Sequence, residues 1–207
     1  GTAKAGEPPR KKAELFAPSD GVEFGTSHIS IVDRFGAAVS MTTTIEDGFG
    51  ARLMTKSGFL LNNELTDFSF LPVKDGLPVA NRVEPGKRPR SSMAPTIVLD
   101  ETGKLYAVAG SPGGSLIINY VTKTLVALID WKLDPQVAVD LPNFGSRNGP
   151  TELEAGTETE AWKPALEAKG HAVKLIEMTS GIQAIVVTAG GFIGGADSRR
   201  EGVAIGN

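Results

Sequence analysis

The chain has 207 residues, 41% of them hydrophobic, and a formal net charge of −3. That suits one ordinary domain with enough apolar side chain for a core, and it lacks the Lys and Arg excess that marks nucleic-acid binders. Cys is absent and His occurs only at His28 and His171, which removes thiolate chemistry, disulfides and cysteine-ligated metals and leaves a Ser-His-Asp triad two imidazoles to draw on. No apolar run reaches membrane-spanning length and no signal-peptide pattern opens the chain at Gly1, so a soluble chain is expected, with any targeting segment lying upstream.

Residues 1–25 are rich in Pro, Gly and charge and show no sustained period, which predicts a linker or extended tail. HISIVD (28–33) and AAVSMTTTI (37–45) alternate apolar with polar or small residues around Arg34-Phe35-Gly36, the pattern of a β-hairpin. FLLNN (59–63) reads as a short strand or strand end, and 70–90, with its four prolines, as an ordered surface loop. MAPTIVLD (93–100) and KLYAVAG (104–110) flank Glu101-Thr102-Gly103, a second hairpin. GSPGG (110–114) then leads into a helix whose apolar residues Leu116, Ile117, Tyr120, Val121, Leu125, Leu128 and Ile129 recur at helical spacing, with its N-terminus at the glycines. A short helix over 135–139 follows, since Pro135 suits a first-turn position. Residues 157–169 read as a surface helix stopped by Gly170, in which Pro164 either kinks the helix or marks its true start. HAVKLIEM (171–178) and IQAIVVT (182–188) read as two late strands, with room for one more in the Gly-rich 189–206. Strands segregated from helices predict an α+β fold: hairpin-built antiparallel sheets in a two-layer sandwich with helices outside. Glycine-rich edges anticipate a partner.

Several residue groups carry possible chemistry, each with a plain structural alternative. The first backbone N–H groups of a helix have no intrahelical partner, so GSPGG is either an anion-binding or oxyanion site or a tight strand-to-helix turn. It lacks the Lys-Ser/Thr ending of a nucleotide P-loop. Glu46 and Asp47, and Glu64 and Asp67, follow strand ends and could together bind an ammonium, or be solvated turn residues. Ser91 and Ser92 could donate hydroxyls to a carboxylate or merely start a strand. His28 shares a strand face with Thr26, as a base or as a structural histidine. The basic run Lys87, Arg88, Arg90 and the pair Arg199, Arg200 read as solvated or ion-paired. Thr26, directly after Gly25, is either a β-branched strand start or a nucleophile. A free N-terminal threonine carries both hydroxyl and base, its own α-amine with an unperturbed pKa of roughly 8, and needs neither Cys nor a catalytic His.

Taken in order, TSHISIVD (26–33), TTTIEDGFG (42–50), LLNNELTDFSF (60–70), GKRPRSSMAPTIV (86–98) and AGSPGGS (109–115) resemble the small subunit of γ-glutamyltranspeptidases. The resemblance continues through PTELEAG (150–156) and GGADSRREG (194–202). It implies the N-terminal-nucleophile hydrolase αββα sandwich, shared between two subunits that one precursor makes by cutting itself. Residues 1–25 would be the tail of the large subunit and 26–207 the small-subunit catalytic domain. Gly25-Thr26 would be the cleavage site and Thr26 the nucleophile of a γ-glutamyl transferase or hydrolase acting on donors such as glutathione.

By the same likeness Thr44 hydrogen-bonds the nucleophile, Gly113 and Gly114 form the oxyanion hole, Ser91 and Ser92 hold the donor's α-carboxylate, and Asp67 and Glu64 hold its α-ammonium. Glu46 stands where better-known members have Asn, adding negative charge at the donor end. An arginine for the carboxylate is expected from the large subunit. No metal or organic cofactor is implied, the other reactants are water or an amino-acid or peptide acceptor, and the implied location is periplasmic or secreted. The 68–90 segment matches the family's lid but is short. Dicarboxylic-acyl β-lactam acylases and an unprocessed, non-catalytic binding relative are the alternatives. The three acidic residues favour an amino-acid donor over a dicarboxylic acyl group.

Overall fold

A computed structural model describes residues 25–206. Of the tail expected at 1–25, residues 1–24 lie outside the described residues, as does Asn207.

The chain opens with the expected hairpin, β1 (Thr26–Val32) and β2 (Ala38–Thr44). The strands pair antiparallel from Thr26 opposite Thr44 to Val32 opposite Ala38. Its turn is closed by Asp33, whose Oδ1 accepts from the N–H groups of Phe35 (2.8 Å) and Ala37 (2.9 Å). The loop expected at 70–90 contains a minimal hairpin, β3 (Val73–Lys74) with β4 (Leu77–Pro78), and Arg82 forms an isolated bridge with Ser69. The strand expected at 59–63 is reduced to one bridge between Met54 and Leu60, because the flanking residues pair irregularly, with Leu61 N–H to Leu53 O and Ala51 N–H to Leu61 O.

The second hairpin is β5 (Thr96–Leu99) and β6 (Leu105–Gly110). It joins β10 (Gln183–Thr188) and β11 (Gly191–Ala196) in a four-stranded antiparallel sheet of order β11-β10-β6-β5. Two helices cover one face of this sheet: α1 (Ile117–Ile129) and α2 (Pro135–Asp140). Asp134 caps α2, its Oδ1 accepting from Gln136 N–H at 2.9 Å, with Pro135 in the first turn as its fixed φ favours. The core lies between them, where Ala107, Ala109, Ala184 and Val186 of the sheet meet Tyr120, Ala127 and Leu128 of α1 and Ala138 and Val139 of α2. Small residues on the sheet let the helices approach closely while the larger helix side chains fill the layer.

The β1–β2 hairpin packs against β6, β10 and β5. The described residues therefore stack as helices, sheet, then a second β layer. A third, smaller sheet lies beside this stack: β7 (Phe144–Ser146) antiparallel to β8 (Thr151–Glu154), and β8 parallel to β9 (Val173–Ile176). The surface helix expected over 157–169 is a 3-10 turn at Glu158–Trp162 followed by α3 (Lys163–Ala168), so Pro164 sits in the first turn of the true helix. Among the described residues no helix is long and apolar enough to cross a membrane.

Candidate active site

The end of the first hairpin nearest Gly25 opens into a cleft lined by Thr26, Thr44, Glu46, Glu64, Asp67, Arg90, Ser91, Ser92, Met93, Gly114, Ser115 and Ile117. Residues separated by almost a hundred positions thus meet at one place. Thr26 and Thr44 face each other across the hairpin, and their Oγ1 atoms lie 2.9 Å apart. Thr44 Oγ1 also accepts from Glu46 N–H at 2.9 Å, which fixes its rotamer. Thr26 is buried, and the Gly25 carbonyl beside it accepts from Ile45 N–H at 3.0 Å.

Glu46 occupies the left-handed region at φ 73°. A Cβ-bearing residue goes there only when its surroundings hold it. Here they do: Asn63 Nδ2 donates to Glu46 Oε2, Thr66 Oγ1 donates to the same oxygen at 3.3 Å, and Asn63 N–H bonds back to Ile45 O at 3.2 Å. The Glu64–Asp67 3-10 turn brings two more carboxyls to the same wall. Burial, then the charges of Asp67 and Glu46, raise the pKa of Glu64. Burial and Glu46 raise that of Asp67, while Arg90 and a hydrogen bond from Glu64 oppose the rise. Glu64 Oε1 is buried and meets no donor among the described residues, so it is open to a donor brought by a ligand. A cluster of three carboxyls beside a single arginine suits an incoming ammonium.

Gly113 and Gly114 turn the chain from β6 into α1, and Gly114 lines the cleft. The helix begins later than expected, with a 3-10 turn over Gly114–Leu116 before Ile117. Gly113 has φ 128°, and a Cβ there would lie 2.5 Å from the Tyr120 ring, so only glycine fits. The loop is braced from behind: Gly181 N–H donates to Ser111 Oγ (3.2 Å), Ser111 Oγ donates to Pro112 O (2.6 Å), and Arg200 Nε donates to Thr179 O (2.8 Å). Arg199 bonds Glu154 Oε1 through Nε at 2.5 Å and Asp197 Oδ1 through Nη1 at 3.0 Å, so this arginine is ion-paired, one of the two outcomes expected. Ser115 is held by Arg147 Nη1 at 3.0 Å, and Arg147 in turn pairs with Glu152.

His28 is a structural histidine. It is buried, and its Nδ1 and Nε2 lie 2.8 Å from Thr42 Oγ1 and 3.0 Å from Ser30 Oγ. Burial lowers its pKa to about 4, so the ring is neutral at physiological pH. Sequence reasoning missed Arg90, Met93, Ser115 and Ile117 as lining residues. For Arg90 the signal was present, since it directly precedes the Ser91-Ser92 pair.

A buried threonine at the start of a strand, stacked β layers and a covering helix layer match the N-terminal-nucleophile hydrolase class of fold. The γ-glutamyltranspeptidase family model matches residues 2–207, and the chain belongs to that family. It is 42% identical over 187 residues to the glutathione hydrolase proenzyme of Escherichia coli K12, covering 85% of this chain and 31% of that protein. Against the Bacillus subtilis 168 glutathione hydrolase proenzyme it is 38% identical over 198 residues, covering 93% and 32%. The chain therefore spans about a third of the length of these relatives. Among solved structures it resembles a threonine-to-alanine mutant of Helicobacter pylori γ-glutamyltranspeptidase, with TM-score 0.74 and 36% identity over 84% of this chain and 99% of that one. It also resembles γ-glutamyltranspeptidase of Pseudomonas nitroreducens complexed with L-DON, with TM-score 0.75 and 34% identity over 87% and 98%.

Proposed function

We propose that the protein containing this chain is a γ-glutamyl transferase or hydrolase that uses Thr26 as an N-terminal nucleophile. On this reading residues 1–25 end a large subunit, 26–207 form the small subunit, and the two stay together after the Gly25–Thr26 bond is cut. The observation that carries it is the 2.9 Å contact between Thr26 Oγ1 and Thr44 Oγ1 in a cleft that also holds Glu46, Glu64, Asp67, Ser91, Ser92 and Gly114.

In self-cleavage, Thr26 Oγ1 attacks the carbonyl carbon of Gly25. The C–N bond breaks as the acyl group moves from nitrogen to oxygen, and water then hydrolyses the ester. Ile45 N–H, 3.0 Å from the Gly25 carbonyl oxygen, lies where it would stabilise negative charge on that oxygen. The freed α-amine of Thr26 then serves as the base for turnover. It takes the hydroxyl proton as Oγ1 attacks the donor's γ-amide, and returns a proton to the leaving amine. The N–H groups of Gly113 and Gly114 receive the tetrahedral oxyanion, where losing one donor typically costs about 100- to 1,000-fold. Water or an amino-acid acceptor resolves the ester. Asp67, with Glu64 and Glu46, takes the donor's ammonium, whose charge would offset the mutual repulsion of these carboxyls.

The test uses the full precursor. Thr26→Ala should leave one uncut polypeptide by intact mass and lower γ-glutamyl anilide turnover by at least about 10,000-fold. Thr26→Ser should cut and turn over more slowly. Full activity in Thr26→Ala would remove Thr26 from the mechanism.

A further inference from the structure

The basic run Lys87, Arg88, Arg90 reads in the sequence as a solvated or paired stretch, and the fold divides it. Lys87 Nζ pairs with Glu84 at 2.6 Å and donates to Ala80 O at 3.0 Å, and Arg82 also binds Glu84. Arg90 instead lines the cleft beside Ser91 and Ser92. Its one hydrogen bond among the described residues is made by its backbone, N–H to Asn81 Oδ1 at 3.3 Å. The other end of the same amide is also used: Asn81 Nδ2 donates to Asp67 O at 2.7 Å. One side chain therefore clamps the backbone of the residue bearing the cation to the backbone of a residue bearing an anion.

The cleft thus has two poles. Glu46, Glu64 and Asp67 form the negative one, and Arg90 with the Ser91 and Ser92 hydroxyls forms a positive, donor-rich one. Arg90 acts on Asp67 through its charge, partly offsetting the upward pressure on the Asp67 pKa. An α-amino-acid end group carries an ammonium and a carboxylate on one carbon, and it needs two poles held at a fixed spacing. A guanidinium that makes no side-chain hydrogen bond among the described residues, carried by the residue before two serines, is well matched to a carboxylate.

We propose that Arg90 is a specificity-determining residue of the donor cleft: with Ser91 and Ser92 it receives the donor's α-carboxylate, and Asn81 sets its spacing from the ammonium-binding Asp67. The inference rests on the γ-glutamyl donor reading above. It adds a cation from this chain to the arginine expected from the large subunit.

The test uses the full processed protein and three ligands that present the donor end in parts. These are γ-glutamyl anilide as substrate, glutaramate (carboxylate without ammonium) and 4-aminobutanamide (ammonium without carboxylate), the last two as competitive inhibitors. Arg90→Gln should raise KM for the anilide and Ki for glutaramate at least about tenfold, the usual cost of a lost hydrogen bond to charge, and leave Ki for 4-aminobutanamide within about twofold. Self-cleavage and kcat should change by less than about threefold, which separates recognition from misfolding. Arg90→Lys should recover part of the loss, and Asn81→Ala should raise KM for the anilide with kcat retained. A rise in anilide KM of less than about threefold in Arg90→Gln overturns the proposal, and so does an equal rise for 4-aminobutanamide. If the unaltered protein turns over no γ-glutamyl anilide, the donor reading itself fails. If it does so and Arg90→Gln behaves like it, only the Arg90 assignment fails.

Discussion

The two faces of the β1–β2 hairpin reverse the usual arrangement of a half-buried sheet. Facing the four-stranded sheet are Thr26, His28, Ser30, Ser40, Thr42 and Thr44, all polar and tied to one another or to the sheet. Ser30 Oγ donates to Gln183 O at 3.3 Å and Ser40 Oγ to Ala109 O at 3.0 Å, so the two β layers are joined by hydrogen bonds as well as by packing. The outer face carries Ile29, Ile31, Val39 and Met41, paired Ile29 with Met41 and Ile31 with Val39, and all four are exposed in this chain. Pairs of this kind form the unit of a packed sheet face, and a contiguous apolar patch on a surface marks a contact. The contrast shows what each face does. The inner face spends its burial on fixing the position of Thr26, and the outer face supplies the apolar surface that a covering layer of the proposed large subunit would need.

The largest effect should come from breaking the inner face at its tightest point. Gly110 of β6 lies directly under the His28 ring, and a Cβ there would fall 2.1 Å from His28 Cε1. Gly110→Ala must therefore expel the imidazole or push the layers apart. We expect a loss of about 3 kcal/mol or more in chemical denaturation of the full protein, with self-cleavage impaired because Thr26 shares the displaced strand. A stable, normally cut Gly110→Ala protein would mean that the inner face is not what positions Thr26.

A smaller effect should come from the outer face. Ile31 is 51% exposed here, and truncating a residue that stays exposed normally changes stability by no more than about 0.5 kcal/mol. If the large subunit covers this face, Ile31→Ala in the complete protein should cost about 2 kcal/mol, as a buried truncation does. Phe35→Ala, at the hairpin turn with Phe35 80% exposed, is the control for a residue left outside the covered strip. Equal, near-zero effects at both positions would leave the outer face without a covering layer.

The hairpin was legible in the sequence because the partial alternation of 28–31 and 39–42 is a local signal, and in the fold the burial of both strands alternates through all seven of their residues. The helix α1 was legible for the same reason at its own period. By contrast, β7 and β8 gave no such signal, because β8 buries Glu152 and Glu154 as well as Leu153. Those carboxylates are satisfied by Arg147 and by Arg199, the latter 45 positions away, and no local pattern shows a pairing at that distance. The cleft shows the same limit. The ordered motifs marked Thr26, Thr44, Glu46, Glu64, Asp67, Ser91, Ser92, Gly113 and Gly114 through resemblance, and the fold brings all of them but Gly113 onto the cleft wall. The divergence of Lys87 from Arg90, three residues apart in one basic run, depends on where Glu84 and Asn81 come to lie.

The finest probe of the inner face is its response to pH, through His28. The ring is buried between the layers, each nitrogen is occupied by a hydroxyl, and burial holds its pKa near 4 in the folded chain. In the unfolded chain the same group should titrate near its ordinary value, roughly 6.5. A depressed folded pKa means that the unfolded state binds the proton more readily. The stability that the neutral ring contributes is therefore fully present above about pH 6.5 and declines as pH falls from there towards 4. Discounted for partial solvent screening, the decline attributable to this group should be on the order of 1–2 kcal/mol. Denaturation of the Thr26→Ala precursor at several values across that interval measures it without interference from self-cleavage. His28→Gln cannot titrate there, so it should start less stable at pH 7 and lose less on acidification, with the two curves converging towards pH 4. Parallel curves would show that His28 titrates alike in the folded and unfolded chains, so that packing between the layers does not hold the ring neutral.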